Sequence, residues 1–119
     1  MLIVEDDDDS RDLLGELVMT FGHSAIGAKN GSDALRQVSA ARPDVALIDI
    51  GLPDVDGFEV ARRVRAVLGP VPIRLVALTG YSDKETRAIA TEAGFDDYMT
   101  KPVVAEALAE LLASTKISA

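Results

Sequence analysis

Three acids, a hydroxyl and an amine stand in this chain at the same kind of place, the point where an apolar run stops. Glu5 and Asp6 follow the run at 1–4, Asp49 follows 45–48, Thr79 follows 73–78, and Lys101 comes shortly after 95–99. Such runs read as buried strands, and in a parallel sheet their C-terminal ends lie along one edge. Side chains far apart in sequence are therefore expected to converge. Carboxylates brought together repel one another, so either a pKa rises or a cation neutralises them. A donor set of oxygens favours Mg²⁺ or Mn²⁺ over zinc. A metal held this way, with positions left for water, could receive a phosphoryl group. Asp49 could then serve as the nucleophile that forms an aspartyl phosphate. Phosphoryl transfer needs positioning and charge neutralisation more than covalent help. Lys101 can take one phosphoryl oxygen and Thr79 can donate to another. Gly80 leaves room for close approach of the backbone, with its N–H free to donate.

The elements that would position these groups can be read from periodicity. The apolar runs at 1–4, 24–28, 45–48, 73–78 and 95–99 alternate with helical patterns, the second run being the weakest and nearest a sheet edge. Leu13, Leu14, Leu17, Val18 and Phe21 share one helix face, closed by Gly22. Ala34, Leu35, Val38 and Ala41 follow the turn signal Asn30-Gly31 and stop before Pro43. Phe58, Ala61, Val64, Val67 and Leu68 come after a loop at 51–57 and end at the break 69–72. Ser82 with Glu85 reads as a capping box for the fourth helix, which Gly94 closes. Val104, Ala107, Leu108, Leu111 and Leu112 form the last amphipathic stripe. Strand and helix alternate five times over short connections, which predicts an α/β domain, a parallel sheet with helices on both faces.

Bulk properties narrow the function. A chain of 119 residues with 48% hydrophobic content suits one packed domain, and no linker or second domain is visible in it. There is no cysteine, which excludes disulfides and thiolate metal sites and fits a reducing cytoplasm. No apolar stretch approaches the ~18 residues of a membrane span, and acids follow Val4 too soon for a secretion signal. A formal net charge of -8 argues against direct nucleic-acid binding and fits cations and basic protein partners.

Four segments together carry a family resemblance. Val4-Glu5-Asp6, the stretch from Asp49 through Pro53 and Asp54 to Asp56-Gly57, Leu78-Thr79-Gly80, and Tyr98 to Lys101-Pro102 resemble the receiver domain of two-component response regulators, in order and at family spacing. The resemblance implies a flavodoxin-like (βα)₅ doubly wound sheet with strand order 2-1-3-4-5. It implies that Asp49 is the phosphoacceptor, Asp6 a direct metal ligand, Glu5 a partner acting through water, and the Gly51 carbonyl a backbone ligand. Lys101 matches the lysine that contacts the phosphoryl group, and a cis peptide is expected between it and Pro102. Thr79 and Tyr98 match a coupled switch pair that remodels the surface of the fourth helix, fifth strand and fifth helix. The implied partners are a histidine kinase or histidine phosphotransfer domain and a fused or separate effector, with homodimerisation through the fourth-helix face open.

This chain departs from the commonest pattern in places. The first acid is Glu5, and Asp7, Asp8 and Asp9 prolong the acidic run, so that one of them or Ser10 is expected to cap the first helix. Gly51 puts no side chain over the site, whereas Tyr81 brings a large one near it; together they are expected to set the lifetime of the phosphoryl group. The segments 78–81 and 93–96 are similar to receivers fused to hybrid sensor kinases, and the abrupt start at the first strand suits an excised or trimmed domain. His23 reads as a surface loop residue, and Gly27, Gly31 and Gly57 as serving backbone geometry.

Two other functions share part of this pattern. A phosphatase of the haloacid-dehalogenase type shares an Asp nucleophile, Mg²⁺, a Thr or Ser and a Lys, but needs an Asp two residues after the nucleophile, where Gly51 stands. A phosphorylation-independent pseudo-receiver usually lacks the acceptor, an acid or the lysine, and all are present. The chain is thus expected to act on itself, by its own phosphorylation and dephosphorylation, and not as a turnover enzyme.

Overall fold

The computed structural model describes residues 1–69, 72–80 and 84–114. Five strands, β1 (Leu2–Val4), β2 (Ile26–Ala28), β3 (Val45–Asp49), β4 (Arg74–Thr79) and β5 (Asp97–Thr100), alternate with α1 (Asp8–Thr20), α2 (Gly31–Ala41), α3 (Gly57–Leu68), α4 (Lys84–Ala93) and α5 (Ala105–Ser114). All pairings are parallel and the sheet order is β2-β1-β3-β4-β5. This is the flavodoxin-like fold that the alternation and the resemblance lead one to expect.

The unbroken apolar runs follow from burial on both faces. Leu2, Val4, Ala46, Ile48, Leu75 and Ala77 point into one core, with the inner faces of α2, α3 and α4. Ile3, Val45, Leu47, Val76 and Leu78, each one residue out of phase, point into the other, with α1 and α5. A strand buried on both sides has no polar alternation to show.

Helix starts are fixed by short polar side chains. Asp7 Oδ2 accepts from the Ser10 N–H at 2.8 Å, Asn30 Oδ1 from Asp33 at 2.8 Å, and Asp56 Oδ1 from Glu59 at 2.9 Å. Each cap contributes about 1 kcal/mol. The Asn30-Gly31 signal is therefore the start of a helix and not a separate turn. Ser82 of the expected capping box lies outside the described residues.

Helix ends explain where the strand boundaries differ from the sequence reading. Gly94 has φ +112°, and the Gly94 and Phe95 N–H groups bond back to Thr91 and Ala90 at 3.1 and 3.0 Å. That is a Schellman closure, in which the residue after the glycine is apolar and packs inward. Phe95 does this, meeting Phe58 edge-on with ring centroids 6.4 Å apart. So Phe95 belongs to the helix cap, and β5 begins at Asp97. Gly22, at φ +88°, closes α1 the same way through bonds from Gly22 to Met19 and His23 to Val18. His23 lies in that closing turn, partly buried.

Candidate metal and phosphoryl-acceptor site

The parallel register brings the polar stops together. Val4 pairs with Ile48, Asp49 with Leu78, and Thr79 with Thr100. The ladder continues one step past the strands, since Glu5 N–H donates to Ala28 O at 3.0 Å, Ile50 to Leu78 O at 3.1 Å and Lys101 to Thr79 O at 2.7 Å. Glu5, Asp49, Thr79 and Lys101 therefore leave rigid backbone along one edge. Three of the helices on this edge start on Asx caps, so the positive ends of their dipoles face the same side as the acids.

Glu5 and Asp49 are buried, 3% and 6% exposed, while Asp6 is exposed. Lys101 Nζ donates to Asp49 Oδ2 at 2.8 Å and to Glu5 Oε2 at 3.0 Å. The remaining oxygens are also engaged: Asp49 Oδ1 accepts from the Gly51 N–H at 3.0 Å, and Glu5 Oε1 from the Asp7 N–H at 3.3 Å. Burial raises the Glu5 pKa above its ordinary value; Lys101 and the Asp7 N–H pull the other way, and the Asp49 charge adds to the rise. Burial acts to lower the Lys101 pKa, but its bonds to Asp49 and Glu5 outweigh it and hold the ammonium above the ordinary lysine value.

One oxygen from each of Glu5, Asp6 and Asp49 lies within 4.8 Å of the others. An octahedral Mg²⁺ with ligands at about 2.1 Å spans about 3.0 Å between adjacent and about 4.2 Å between opposite oxygens. The cluster fits such an ion, with slack for one ligand to act through water. Three carboxylates against one ammonium leave two negative charges uncancelled, which a divalent cation matches.

Thr79, 1% exposed, ends β4 on this edge, and space beside Gly80 is open, since a methyl group there would meet nothing within 4 Å. The Lys101–Pro102 peptide bond is cis. Tyr98 is set back on β5, opposite Ala77, half-buried, with the Arg87 guanidinium 5.0 Å from its ring centre. Tyr81 lies outside the described residues.

Two further residues shape the site. A methyl group at Gly57 would lie 2.5 Å from Ile50 Cα and 2.7 Å from the Asp49 carbonyl oxygen. The first turn of α3 thus presses on the peptide that carries Asp49, and only glycine admits that approach. The Gly57 N–H also donates to Ile50 O at 3.0 Å. Asp54 reaches across to α2, accepting from Gly31 N–H at 2.8 Å, Ser32 N–H at 3.1 Å and Ser32 Oγ at 2.9 Å. These donors, the Gly31 N–H foremost, hold its carboxyl well below the usual carboxylate range. Spacing from the apolar run marks Gly57 as a loop end; only the packing of α3 makes it part of the site.

A doubly wound sheet with a buried acid pair, a shared lysine and a cluster of carboxylates able to hold a metal on its C-terminal edge defines a class of phosphorylation-accepting signalling modules. The family model for the response regulator receiver domain matches residues 1–113, and the chain belongs to that family. The transcriptional regulatory protein AfsQ1 of Streptomyces coelicolor is 39% identical over 103 residues, covering 87% of this chain and 44% of AfsQ1. With PrrA of Mycobacterium tuberculosis the covered share is 48% of the relative, so the chain spans about half the length of these curated regulators. Among solved structures, the Vibrio cholerae chemotaxis protein CheY4 superposes with a TM-score of 0.88 at 26% identity, covering 94% of this chain and 93% of that one. The Saccharomyces cerevisiae complex of the histidine phosphotransfer protein Ypd1 with the receiver domain of Ssk1 matches with a TM-score of 0.86 at 29% identity, over 92% and 83% of the two chains. Receiver domains accept phosphate at an acidic, Mg²⁺-binding site, and the Glu5, Asp6 and Asp49 cluster fits it.

Proposed function

We propose that this chain takes a phosphoryl group from a phosphohistidine onto Asp49 and reports the event through its α4–β5–α5 face. The observation that carries this reading is the ammonium of Lys101, held 2.8 Å from Asp49 and 3.0 Å from Glu5 on the buried sheet edge. A carboxylate oxygen of Asp49 attacks phosphorus, the bond from phosphorus to the histidine nitrogen breaks, and its electron pair returns to the imidazole. The carboxylate charge is spent in the new bond. Lys101 then follows the negative charge onto a phosphoryl oxygen, while Thr79 donates its hydroxyl to a second and the Gly80 N–H to a third. Asp6, Asp49 and the Gly51 carbonyl would hold Mg²⁺ directly and Glu5 through water. Bound there, Mg²⁺ (or Mn²⁺) neutralises charge on the phosphoryl oxygens.

The domain catalyses only its own phosphorylation and its own dephosphorylation, in which water hydrolyses the aspartyl phosphate. Gly51 and Tyr81 set how fast water reaches the acyl phosphate; the decay rate of phosphorylated Tyr81→Ala, expected to differ from the parent's, tests the second of these. Thr79 and Tyr98 carry the signal: Thr79 moves toward the phosphate, Tyr98 turns inward, and the surface around α4 changes.

A histidine kinase or histidine phosphotransfer domain supplies the phosphate, as the solved Ypd1–Ssk1 pairing supports by likeness. A groove of about 730 Å³ opens beside Lys101, with Leu13, Leu17, Leu78, Pro102 and Val103 in its walls, and Leu13 is 66% exposed. This apolar trough next to the acceptor suits the helices of such a donor. Leu13→Glu is expected to slow phosphotransfer from a phosphohistidine protein about tenfold while leaving the reaction with acetyl phosphate unchanged.

Residues 1–119 read as one receiver domain in the cytoplasm, acting through a fused or separate effector or a second copy on the α4 face. Among the described residues no helix is long and apolar enough to cross a membrane. The net charge of -8 supports protein partners over direct contact with nucleic acid. The deciding experiment incubates the protein with acetyl phosphate and Mg²⁺. The expected product is an acid-stable, base-labile adduct that Asp49→Asn lacks; no adduct with any donor, or one that survives Asp49→Asn, overturns the assignment.

A further inference from the structure

Arg11 stands six residues beyond Glu5 on α1, and three of its contacts converge on the acidic loop. Its Nη1 donates to the Glu5 backbone carbonyl at 2.9 Å, and Nη2 pairs with Asp8. Its backbone N–H donates to Asp7 O at 2.9 Å, the first bond of the helix. The stem of the side chain lies on β2, where a methyl group at Gly27 would come within 3.1 Å of Arg11 Cδ. Only 20% of the side chain is exposed. One residue thus ties the last step of β1, the first turn of α1 and the neighbouring strand.

Five consecutive acids, Glu5 to Asp9, make this loop hard to hold. Their mutual repulsion favours an opened loop. Once β1 has ended, the Glu5 carbonyl accepts from the planar guanidinium, which spends its second arm on Asp8. Arg suits this role better than Lys because its fork engages two acceptors in fixed directions.

We infer that Arg11 is a positioning residue for the metal, one that pre-shapes the Glu5–Asp6 turn by gripping its backbone from behind. The inference rests on the metal reading proposed above. It makes a prediction opposite in sign to simple charge counting. Neutralising Arg11 makes the loop more negative, which by Coulomb attraction alone would tighten Mg²⁺ binding. If the arginine holds the ligands in place, its loss weakens binding instead, as removal of an outer partner of a metal ligand does.

The test is calorimetric titration of Mg²⁺ into the parent protein, Arg11→Gln, Arg11→Lys and Gly27→Val, with melting of each metal-free protein beside it. Gly27→Val keeps every charge and crowds the stem of Arg11, while the β-branched residue suits the strand. Arg11→Gln should weaken Mg²⁺ binding about tenfold. Gly27→Val should weaken it in the same direction with metal-free stability undiminished. Arg11→Lys, which keeps the charge and loses the fork, should recover only part of the affinity. In the metal-free proteins, amide exchange at Asp6 and Asp7 should quicken in Arg11→Gln while the β3 amides stay protected, a readout that does not depend on the metal. Equal or tighter Mg²⁺ binding by Arg11→Gln, or full recovery in Arg11→Lys, overturns the inference. Failure of the parent protein to bind Mg²⁺ refutes the metal reading itself, and is told apart because the parent alone decides it.

Discussion

The two ends of the sheet use similar charged residues to opposite effect. At the C-terminal edge the carboxylates Glu5 and Asp49 are buried and share a single ammonium, with Asp6 beside them. At the N-terminal edge the cations are guanidinium groups with dedicated partners. Arg65 donates to the Gly94 carbonyl through Nε at 3.0 Å and Nη2 at 2.8 Å, to the Ile73 carbonyl at 2.8 Å, and to Asp96 at 2.7 Å. Asp96 also accepts from the Leu75 N–H at 2.9 Å, and Arg74 Nε pairs with Asp97 at 2.7 Å. Forked donors lock α3, β4 and β5 at one end. A flexible single-point donor at the other can let go of a carboxylate when a phosphoryl group or a cation arrives.

Glycines give the largest test of this contrast. Gly57→Ala drives a methyl group into backbone that cannot yield, 2.5 Å from Ile50 Cα, and should cost about 3 kcal/mol. It should also abolish the acetyl-phosphate adduct by displacing Asp49. Gly94→Ala forces alanine to φ +112° and meets only the flexible stem of Arg65 at 2.9 Å. Its expected cost is about 2 kcal/mol, with full phosphorylation of the folded fraction. Urea unfolding and adduct yield measured side by side separate the two; loss of adduct in Gly94→Ala would break the division of labour.

Arg65→Ala comes next. It strips donors from two carbonyls and a carboxylate, and after allowance for a side chain that is 32% exposed it should cost about 2 kcal/mol without lowering adduct yield. A phosphorylation defect in the folded variant would mean that the two edges communicate through α3.

A matched pair of smaller changes asks whether the acids at the two ends are held or merely confined. Asp96→Asn weakens the bonds from Arg65 and the Leu75 N–H and should cost about 1 kcal/mol. Asp49→Asn removes a charge that raises the Glu5 pKa, and should leave the metal-free protein as stable as the parent or more so. Mg²⁺ should then stabilise the parent and not Asp49→Asn. Equal losses from both substitutions would erase the distinction.

The ends also differ in how far the sequence reveals them. Glu5, Asp49 and Thr79 each directly follow an apolar run, and Lys101 comes shortly after one, so the acidic edge stands out by contrast. The opposite edge leaves no such mark. Arg65 bonds chiefly to backbone carbonyls, which any residue offers, and Arg74 looks only like an interruption of an apolar run. Phe95 misleads in the other direction: it is apolar because it closes a Schellman turn, and periodicity assigns it to β5. Gly57 and Arg11 act through approaches across the fold, against Ile50 and Gly27, that no local spacing encodes. Tertiary partners decide these cases, whereas the parallel sheet and the convergence of the strand-end groups follow from pattern, and the strand order from the family resemblance.

The smallest expected effect is a pH dependence at the acidic edge. Burial, opposed by Lys101 and the Asp7 N–H and reinforced by Asp49, raises the Glu5 pKa above its ordinary value of 4.5. A carboxyl with a raised pKa in the folded state binds its proton more tightly there than in the unfolded chain. Folding is therefore favoured at low pH, and that contribution is lost as pH rises from 4.5 through the folded-state value. Glu5→Gln has no such proton to lose. In metal-free protein the melting temperature of Glu5→Gln relative to the parent should climb over this interval and then level off, by no more than about 4 °C. Mg²⁺ should oppose the trend, because the cation stabilises the ionised carboxylate that burial disfavours. A flat difference for Glu5→Gln, in the absence of metal, would mean that Lys101 already satisfies the acidic edge as fully as the arginines satisfy the other.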